Sequence, residues 1–197
     1  MAEQILDGSG TGKRARVGSK NKLHTFSVSE TIGEHASVNG DSYNINTGNL
    51  TLTSGNESGL LFFENSGDND IHIISIGYLM GASTGGSGDI LATVLRNPMS
   101  GTVVSDAINV DININKNASS SKNLSVKAYK GGEGKTFTDG EDFYYSLIPS
   151  AGRGYVISTG SIVLRKGASI GIKFTPQTGN TSMDMQVFLS VIEYTLD

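Results

Sequence analysis

Apolar and polar residues alternate with a period of two along most of the chain from about residue 42. The segment "NVDININ" (109–115) is the strictest case, because every second side chain is apolar and those between are Asn or Asp. Successive side chains of a strand point to opposite faces of a sheet, so this period predicts β-strands. No window shows the 3.6-residue period of an amphipathic helix of ten or more residues.

Turn-forming residues divide the alternating segments into roughly ten strands. "GLLFFEN" (59–65) and "DIHIISIGYLM" (70–80) flank the turn "SGDN" (66–69), which predicts a hairpin, and "GYVIS" (154–158) and "SIVLR" (161–165) are two further runs separated by Thr159-Gly160. Many short strands joined by such turns are typical of a β-sandwich or jelly roll. We therefore predict an all-β fold, with a jelly-roll-like antiparallel β-sandwich over residues 41–197. An immunoglobulin-like sandwich has the same strand rhythm, so the strand order stays open here.

The last strand, "MDMQVFLSVIEY" (183–194), is apolar on both faces. Alternate positions from Met183 to Val191 form one apolar face, and Phe188, Ile192 and Tyr194 place large groups on the other. A strand of this kind lies in the centre of a sheet or in an interface between subunits. We predict one of these two positions for Phe188, Ile192 and Tyr194.

Residues 1–40 differ from the rest of the chain because they are polar and poor in large apolar side chains. We predict an extended, Gly-rich N-terminal arm over residues 1–40, with one short strand around "LHTFSVS" (23–29). Residues 41–197 are the body. No internal repeat of 20 to 50 residues is present, which disfavours a solenoid or propeller.

The formal charge of −4 is distributed unevenly between the two parts of the chain. Residues 8–29, the basic segment, hold five cations and no acid: Lys13, Arg14, Arg16, Lys20 and Lys22. Residues 30–197 hold ten basic and seventeen acidic residues, a formal charge of −7. Such a basic segment favours binding to a polyanion or to an acidic protein surface.

Two Gly-Lys sequences resemble a phosphate-binding loop but lack residues that its chemistry requires. A P-loop has the pattern G-x-x-x-x-G-K-[ST], in which backbone N–H groups surround the phosphates and the hydroxyl binds magnesium. Before Gly12-Lys13 the first Gly is replaced by Asp7, and the hydroxyl residue is replaced by Arg14. In "YKGGEGKT" (129–136) Tyr129 stands where the first Gly belongs. Neither segment predicts a nucleotide site.

No pattern of catalytic residues is present, and we predict that the chain is not an enzyme. The absence of cysteine excludes a thiol nucleophile, and the three histidines lie in unrelated surroundings without a G-x-S-x-G sequence. Four acids could in principle supply a glycosidase pair, although sequence does not give their separation. They are Glu133, Asp139, Glu141 and Asp142.

The sequence also predicts no metal site and no cofactor. "GGSGDI" (85–90) is close to a calcium-binding repeat, but Asp89 stands one position early and no tandem copy follows. The other loop acids lack the spacing of an EF-hand. A solvated turn accounts better for these residues.

The predicted partners are proteins rather than nucleic acid or membrane. The basic segment contains one aromatic residue, Phe26, and no helical pattern that could present side chains to bases, which disfavours nucleic acid. No apolar run of about 18 residues is present. Carbohydrate stays an alternative through Tyr144, Tyr145 and Tyr155, although the chain has no tryptophan.

Two segments resemble a known protein family. They are "LDGSGTGKRARVGSKNKLHTFSVSET" (6–31) and "YNINTGNLTLTSGNESGLLFFENSGDNDIHIISI" (43–76). Both are similar to capsid decoration, or cement, proteins of tailed bacteriophages, in which a Gly-rich, Lys- and Arg-bearing stretch leads into a Tyr-Asn-Ile-x-Thr-Gly strand pair. The likeness covers about residues 5–80, and its motifs are structural rather than chemical.

The resemblance implies a jelly-roll or similar sandwich that assembles as a homotrimer on the outer surface of a phage head. There it would bridge neighbouring major capsid proteins and oppose the outward pressure of packaged DNA. The five cations of the basic segment would contact an adjacent subunit or capsid protein, and Phe188, Ile192 and Tyr194 would lie in the trimer interface or central sheet. The alternative is a head- or tail-fibre module that binds host-surface carbohydrate.

Overall fold

The computed structural model describes residues 16–17, 23–24, 31–53, 55–81, 89–110, 112–149, 154–176 and 182–194. Within these residues the chain forms two short helices, α1 (Ile32–Asn39) and α2 (Thr102–Ser105), and fourteen strands. In chain order the strands are β1 (Arg16–Val17), β2 (Leu23–His24), β3 (Ser42–Asn46), β4 (Leu50–Leu52), β5 (Ser58–Asn65), β6 (Asp70–Met80), β7 (Ile90–Arg96), β8 (Ile108–Asn109), β9 (Ile112–Asn115), β10 (Val126–Lys130), β11 (Glu141–Ile148), β12 (Gly154–Leu164), β13 (Ser169–Pro176) and β14 (Met183–Tyr194).

The body is a sandwich of two antiparallel sheets. Sheet I has the order β11-β7-β13-β5-β10-β8, and sheet II has the order β12-β6-β14-β3-β9 with β4 also paired to β14. From β5 to β7 and from β11 to β14 successive strands alternate between the sheets, since β5, β7, β11 and β13 lie in sheet I while β6, β12 and β14 lie in sheet II. This alternation is typical of a jelly roll. The predicted jelly-roll-like antiparallel β-sandwich is confirmed.

The hydrophobic core lies between the two sheets, where alternate side chains of β14, from Met183 to Val191, are buried. Tyr78 of β6 and Phe174 of β13 join the sheets through an edge-to-face contact, with ring centroids 5.2 Å apart. Both side chains are fully buried. Complete burial of a large apolar side chain contributes roughly 1.5–3 kcal/mol to stability.

The hairpin expected at residues 66–69 is wrong, because β5 lies in sheet I and β6 lies in sheet II. The two runs on either side of Thr159-Gly160 form one strand, since β12 continues through this dipeptide. Both halves of β12 pair with β6, and the register shifts between Ser158, opposite Ser75, and Ile162, opposite Ile73. The extra residues therefore form a bulge rather than a turn. A Gly between two apolar runs is common to bulges and hairpins, so the local pattern does not distinguish them.

Ile114 of β9 points away from the core. Ile114 is 59% exposed, while Asn115 points inward and its amide Nδ2 donates to the backbone oxygen of Gly40 at 2.7 Å. The same amide group also contacts Ser120 and Lys122. In the described residues β9 is an edge strand that pairs with β3 alone, which leaves Ile114 open to solvent.

Helix α1 lies within residues 1–40, so the prediction of an extended arm is wrong for residues 32–39. The helix ends in a Schellman motif at Gly40, which has a φ of +76°. The backbone N–H of Asp41 donates to Ala36 at 2.7 Å, and that of Gly40 donates to Ser37 at 3.2 Å. Ala36 is buried, and α1 contacts β3 and β14. Tertiary packing therefore stabilises a helix whose own periodicity is weak.

Residues 1–31 form a separate unit from the body, which begins at Ile32. The described part of this unit is an antiparallel ladder in which β1 pairs with β2, Arg16 opposite His24 and Val17 opposite Leu23. The short strand expected around residues 23–29 thus includes β2.

Candidate interaction surfaces

The predicted arm cations fall mainly outside the described residues. Lys13, Arg14, Lys20 and Lys22 lie there, and Arg16 is described only through the backbone pairing of β1. Their contact with a neighbouring subunit or capsid protein stays a prediction.

Phe188, Ile192 and Tyr194 lie on β14, which pairs with β6 on one side and with β3 and β4 on the other. All three occupy the outer face of sheet II, opposite the alternate positions that enter the core. Their burial differs, since Ile192 is buried, Phe188 is half-buried and Tyr194 is 42% exposed. Ile192 therefore contributes to packing within the subunit.

The outer face of sheet II, which we call the β14 face, carries several exposed apolar side chains among polar ones. These are Ile74, Leu79, Val156, Val163 and Tyr194. Phe188 packs across Gly77 of the neighbouring strand, where any Cβ would overlap its ring. His72 lies half-buried on the same face, 5.4 Å from the ring of Tyr194, as expected for a residue on the sheet surface.

A single lysine crosses the middle of the β14 face. The Nζ of Lys116 donates to the hydroxyl oxygen of Ser190 on β14. Because the lysine stem lies along the sheet and is partly removed from water, burial lowers the pKa of Lys116. This lysine adds a positive group to the β14 face beside Ser190.

A second apolar surface lies on β11, the edge strand of sheet I. We call Phe143, Tyr144, Tyr145 and Leu147 the β11 patch, and their side chains are between 39% and 57% exposed. Within the described residues, β11 pairs with β7 alone. The backbone groups on its other side are therefore free of strand pairing in this part of the chain.

Register shows which side chains of β11 face outward. Tyr145 pairs with Thr93 and Leu147 pairs with Leu91, while the intervening Ala92 of β7 belongs to the core. Since neighbouring paired residues point to the same face, Tyr145 and Leu147 lie on the outer face of sheet I. Tyr144 pairs with Val94 of the core, so its ring lies on the inner side of this edge strand. The signal in the sequence was the run "FYYSLI", but the run does not show that β11 is an edge strand.

Charged groups border the β11 patch. The Nζ of Lys173 lies 3.3 Å from Glu57 Oε2 and 3.3 Å from Asp142 Oδ1, and the hydroxyl of Tyr145 donates to Asp142 Oδ2 at 3.1 Å. Partial burial acts to lower the pKa of Lys173, but the two carboxylates outweigh it and raise the pKa overall. The hydrogen bond to Asp142 raises the pKa of Tyr145.

Another part of the outer face of sheet I is covered by the chain itself. Helix α2 contacts β5, and Val103 of this helix is 1% exposed. A Cβ at Gly59 of β5 would overlap Val103 and press on the ring of Phe137. This cover makes the exposure of the β11 patch a local feature rather than a property of the whole sheet.

The four carboxylates considered for glycosidase chemistry each take part in a different structural contact. Glu133 accepts from the backbone and hydroxyl of Thr53, and Glu141 pairs with Arg96. Asp139 accepts from two backbone N–H groups, and Asp142 pairs with Lys173. No group of three or more metal-ligating side chains occurs within the described ranges. Residues 85–88 of the segment "GGSGDI" lie outside the described residues.

A polar pocket of about 290 Å³ lies beneath the loop that follows β9. Its lining includes Tyr43, Asn115 and Asn117. The side chain of Asn117 is occupied in shaping the loop, because Nδ2 donates to Val38 and Oδ1 accepts from the N–H of Ser119. The pocket thus arises from loop packing.

The three tyrosines considered for carbohydrate binding lie on both sheets. Tyr144 and Tyr145 belong to β11 of sheet I, whereas Tyr155 belongs to β12 of sheet II and pairs through its backbone with Tyr78. The described residues include no helix long and apolar enough to cross a membrane.

Comparison with known proteins gives distant structural likenesses. No protein-family model and no curated protein matches the sequence significantly. The crystal structure of the decameric BFDV capsid protein is 12% identical with a TM-score of 0.31, over 78% of this chain and 98% of that chain. The infectious bursal disease virus VP2 subviral particle is 8% identical with a TM-score of 0.16, over 78% of this chain and 41% of that chain. Both TM-scores are below 0.5, and neither likeness bears on the function proposed below.

Proposed function

We propose that the chain is a structural virion protein, a decoration or cement protein that binds the outer surface of a tailed-phage head as a homotrimer. The observation that carries this proposal is an acidic β-sandwich with exposed apolar surface on both sheets, preceded by a basic segment. The similarity of residues 5–80 to the decoration family supports the same function. An apolar surface bordered by polar groups is typical of a protein that binds other proteins.

The physical role would be reinforcement of the capsid. A subunit that binds only the assembled lattice stabilises that lattice by mass action, because its binding free energy is lost when the lattice opens. Such a protein needs surfaces for its partners and no catalytic group. The major capsid protein is the proposed partner, and the outer capsid surface is the proposed location.

The basic segment is proposed to attach the body to acidic surface of the capsid. Replacing all five cations, Lys13, Arg14, Arg16, Lys20 and Lys22, by Gln keeps the length of the segment and removes its charge. We expect this full-length variant to lose most of its binding to empty heads, as measured by co-sedimentation, and wild-type binding to weaken as salt rises.

Deletion of residues 1–25 removes both the length and the charge of the basic segment, whereas the Gln variant removes only its charge. The truncated chain should keep the circular dichroism of a β-sandwich and fail to co-sediment with heads. If the Gln variant and the truncated chain both bind heads as wild type does, the proposed role of the basic segment is wrong.

The exposed rings of Tyr144 and Tyr145 favour a second candidate, a head- or tail-fibre module that binds host-surface carbohydrate. Sugars stack on exposed aromatic faces. A glycan array probed with the full-length protein tests this function, which requires specific binding that Tyr145→Ser abolishes. The decoration protein requires no glycan binding at all.

A further inference from the structure

We propose that the β11 patch is the surface through which copies of this chain associate, with Tyr145 and Leu147 close to the symmetry axis of the homotrimer. This inference rests on the proposed function, since a homotrimer is part of it. It names a contact surface on β11, whereas the sequence placed Phe188, Ile192 and Tyr194 of β14 in the trimer interface or in the central sheet.

The position of β11 is the first argument. An edge strand presents a row of unpaired backbone groups, and proteins usually protect such edges with charges, proline or covering segments. Phe143, Tyr144, Tyr145 and Leu147 instead place large apolar side chains along this edge. An edge of this composition favours a permanent partner over solvent.

The size of the patch is the second argument. With about 200 Å² for an aromatic side chain, the rings of Phe143 and Tyr145 leave roughly 200 Å² exposed at 42% and 56%. A standard interface buries about 800 Å² on each partner. These two rings supply about a quarter of this area, and Leu147 at 57% exposure adds to it. The remainder would come from the polar border, as in ordinary interfaces.

The charges around the patch identify the partner as a second copy. Lys173 lies between Glu57 and Asp142, so the border carries both signs within a few ångströms. A border of alternating sign can match its own copy, whereas a strongly charged partner would require a border of one sign. Residues close to a rotation axis also meet their own symmetry copies, so a single apolar patch is sufficient.

The β14 face fits this role less well. Ile192 is already buried within the subunit, and Phe188 is occupied by its contact with Gly77. Lys116 stands at the centre of that face, where its copies around an axis would repel one another. The β14 face therefore remains available for a different partner.

The first test measures the mass of three variants by light scattering. Wild type should have a mass of about 62 kDa, three times the 20.7 kDa chain. Leu147→Glu should reduce the mass to that of the monomer. Ile114→Glu is the matched control, because Ile114 is 59% exposed on the edge strand β9, and it should leave the trimer intact. Leu79→Glu, on the β14 face, should also leave it intact.

The second test uses the absence of cysteine from the chain, which makes single-cysteine variants free of background. Leu147→Cys should form covalent dimers between copies under mild oxidation, whereas Ile114→Cys should not. The Leu147→Cys variant also keeps the test valid if Leu147→Glu fails to fold, since cysteine is small and uncharged.

The outcomes separate this inference from the proposed function. A wild-type monomer would overturn both the homotrimer and the β11 contact. A wild-type trimer that survives Leu147→Glu and gives no cross-link at Leu147 would overturn the β11 contact and leave the homotrimer standing. Dissociation by Leu79→Glu alone would place the contact on the β14 face. The wild-type protein could also bind a specific glycan. If Tyr145→Ser abolishes that binding and leaves the trimer intact, the β11 patch is a carbohydrate site and the inference is overturned.

Discussion

On the outer face of sheet II, the ring of Phe188 has room to lie over Gly77 because this residue has no side chain. Gly77 lies on β6 directly opposite Phe188 of β14, and the ring of Phe188 covers the space above it. An aromatic ring over a strand glycine shields the exposed backbone and compensates for the low strand propensity of glycine. The pair therefore stabilises the contact between β6 and β14.

Gly77→Ala should destabilise the protein, because the added methyl group would overlap the Phe188 ring. Overpacking of this kind costs about 1–3 kcal/mol, and urea denaturation should show a lower midpoint. The double variant Gly77→Ala with Phe188→Leu should recover part of the loss, since leucine is smaller and can move aside.

Gly132→Ala is the control for this prediction, because a Cβ there would meet no neighbouring atom. Its midpoint should stay close to that of wild type. Equal midpoints for Gly77→Ala, Gly132→Ala and wild type would contradict the proposed packing of Phe188.

The sequence predicted the face of the sheet on which a residue lies better than it predicted how deeply that residue is buried. Ile192 and Tyr194 share the face that alternation assigned to them, yet one is buried and the other exposed. Tyr194 stands at the end of β14, opposite Asp70, whereas Ile192 lies between His72 and Ser42 on neighbouring strands. Burial depends on these neighbours, which come from distant parts of the sequence.

At the scale of elements, two loops are joined by one carboxylate. Asp139 Oδ1 accepts from the backbone N–H of Met99 at 2.8 Å and of Ser100 at 2.9 Å. These bonds connect the segment before α2 to the loop before β11. Because the hydrogen bonds from Met99 and Ser100 favour the ionised form, they lower the pKa of Asp139.

Asp139→Asn should reduce stability at neutral pH and have little effect in acid. A carboxyl group whose pKa is lower in the folded state stabilises the fold above its unfolded pKa of about 3.9, and this stabilisation is lost as pH falls through the folded value. The carboxylate is exposed, so screening limits the effect to less than about 1 kcal/mol.

Thermal unfolding of wild type and Asp139→Asn at pH 7 and pH 3 checks this prediction. The difference in Tm should be present at pH 7 and become smaller at pH 3. A difference of the same size at both pH values would show that the charge of Asp139 does not hold the loops together.

Alternation identified most strands but did not show how they join. β6 and β14 were visible as separate segments, since 70–80 follows the turn residues 66–69 and 183–194 is apolar on both faces. The alternation did not show the bulge in β12 or the exposure of Ile114, because both depend on which strand lies alongside. The exposure of Leu147 had the same cause, since only the pairing of β11 makes it an edge strand.

At the scale of the whole molecule, charge and apolar surface are segregated. The basic segment has five cations and no acid, while residues 30–197 carry a formal charge of −7. The body adds two apolar surfaces, the β11 patch and the β14 face, on opposite sheets of the sandwich. In the proposed function the β11 patch joins copies to one another, while the β14 face and the basic segment are available to the capsid. A monomeric enzyme would require none of these surfaces.

Electron microscopy of the particle that carries this protein tests the central claim most directly, because it reports location and copy number together. Three-dimensional reconstruction of the head should show hundreds of copies as threefold protrusions on the outer surface. Removal of the protein should leave heads that lack these protrusions and break at lower internal pressure. A few fibres at one vertex or on the tail, with a bare head surface, would contradict the account.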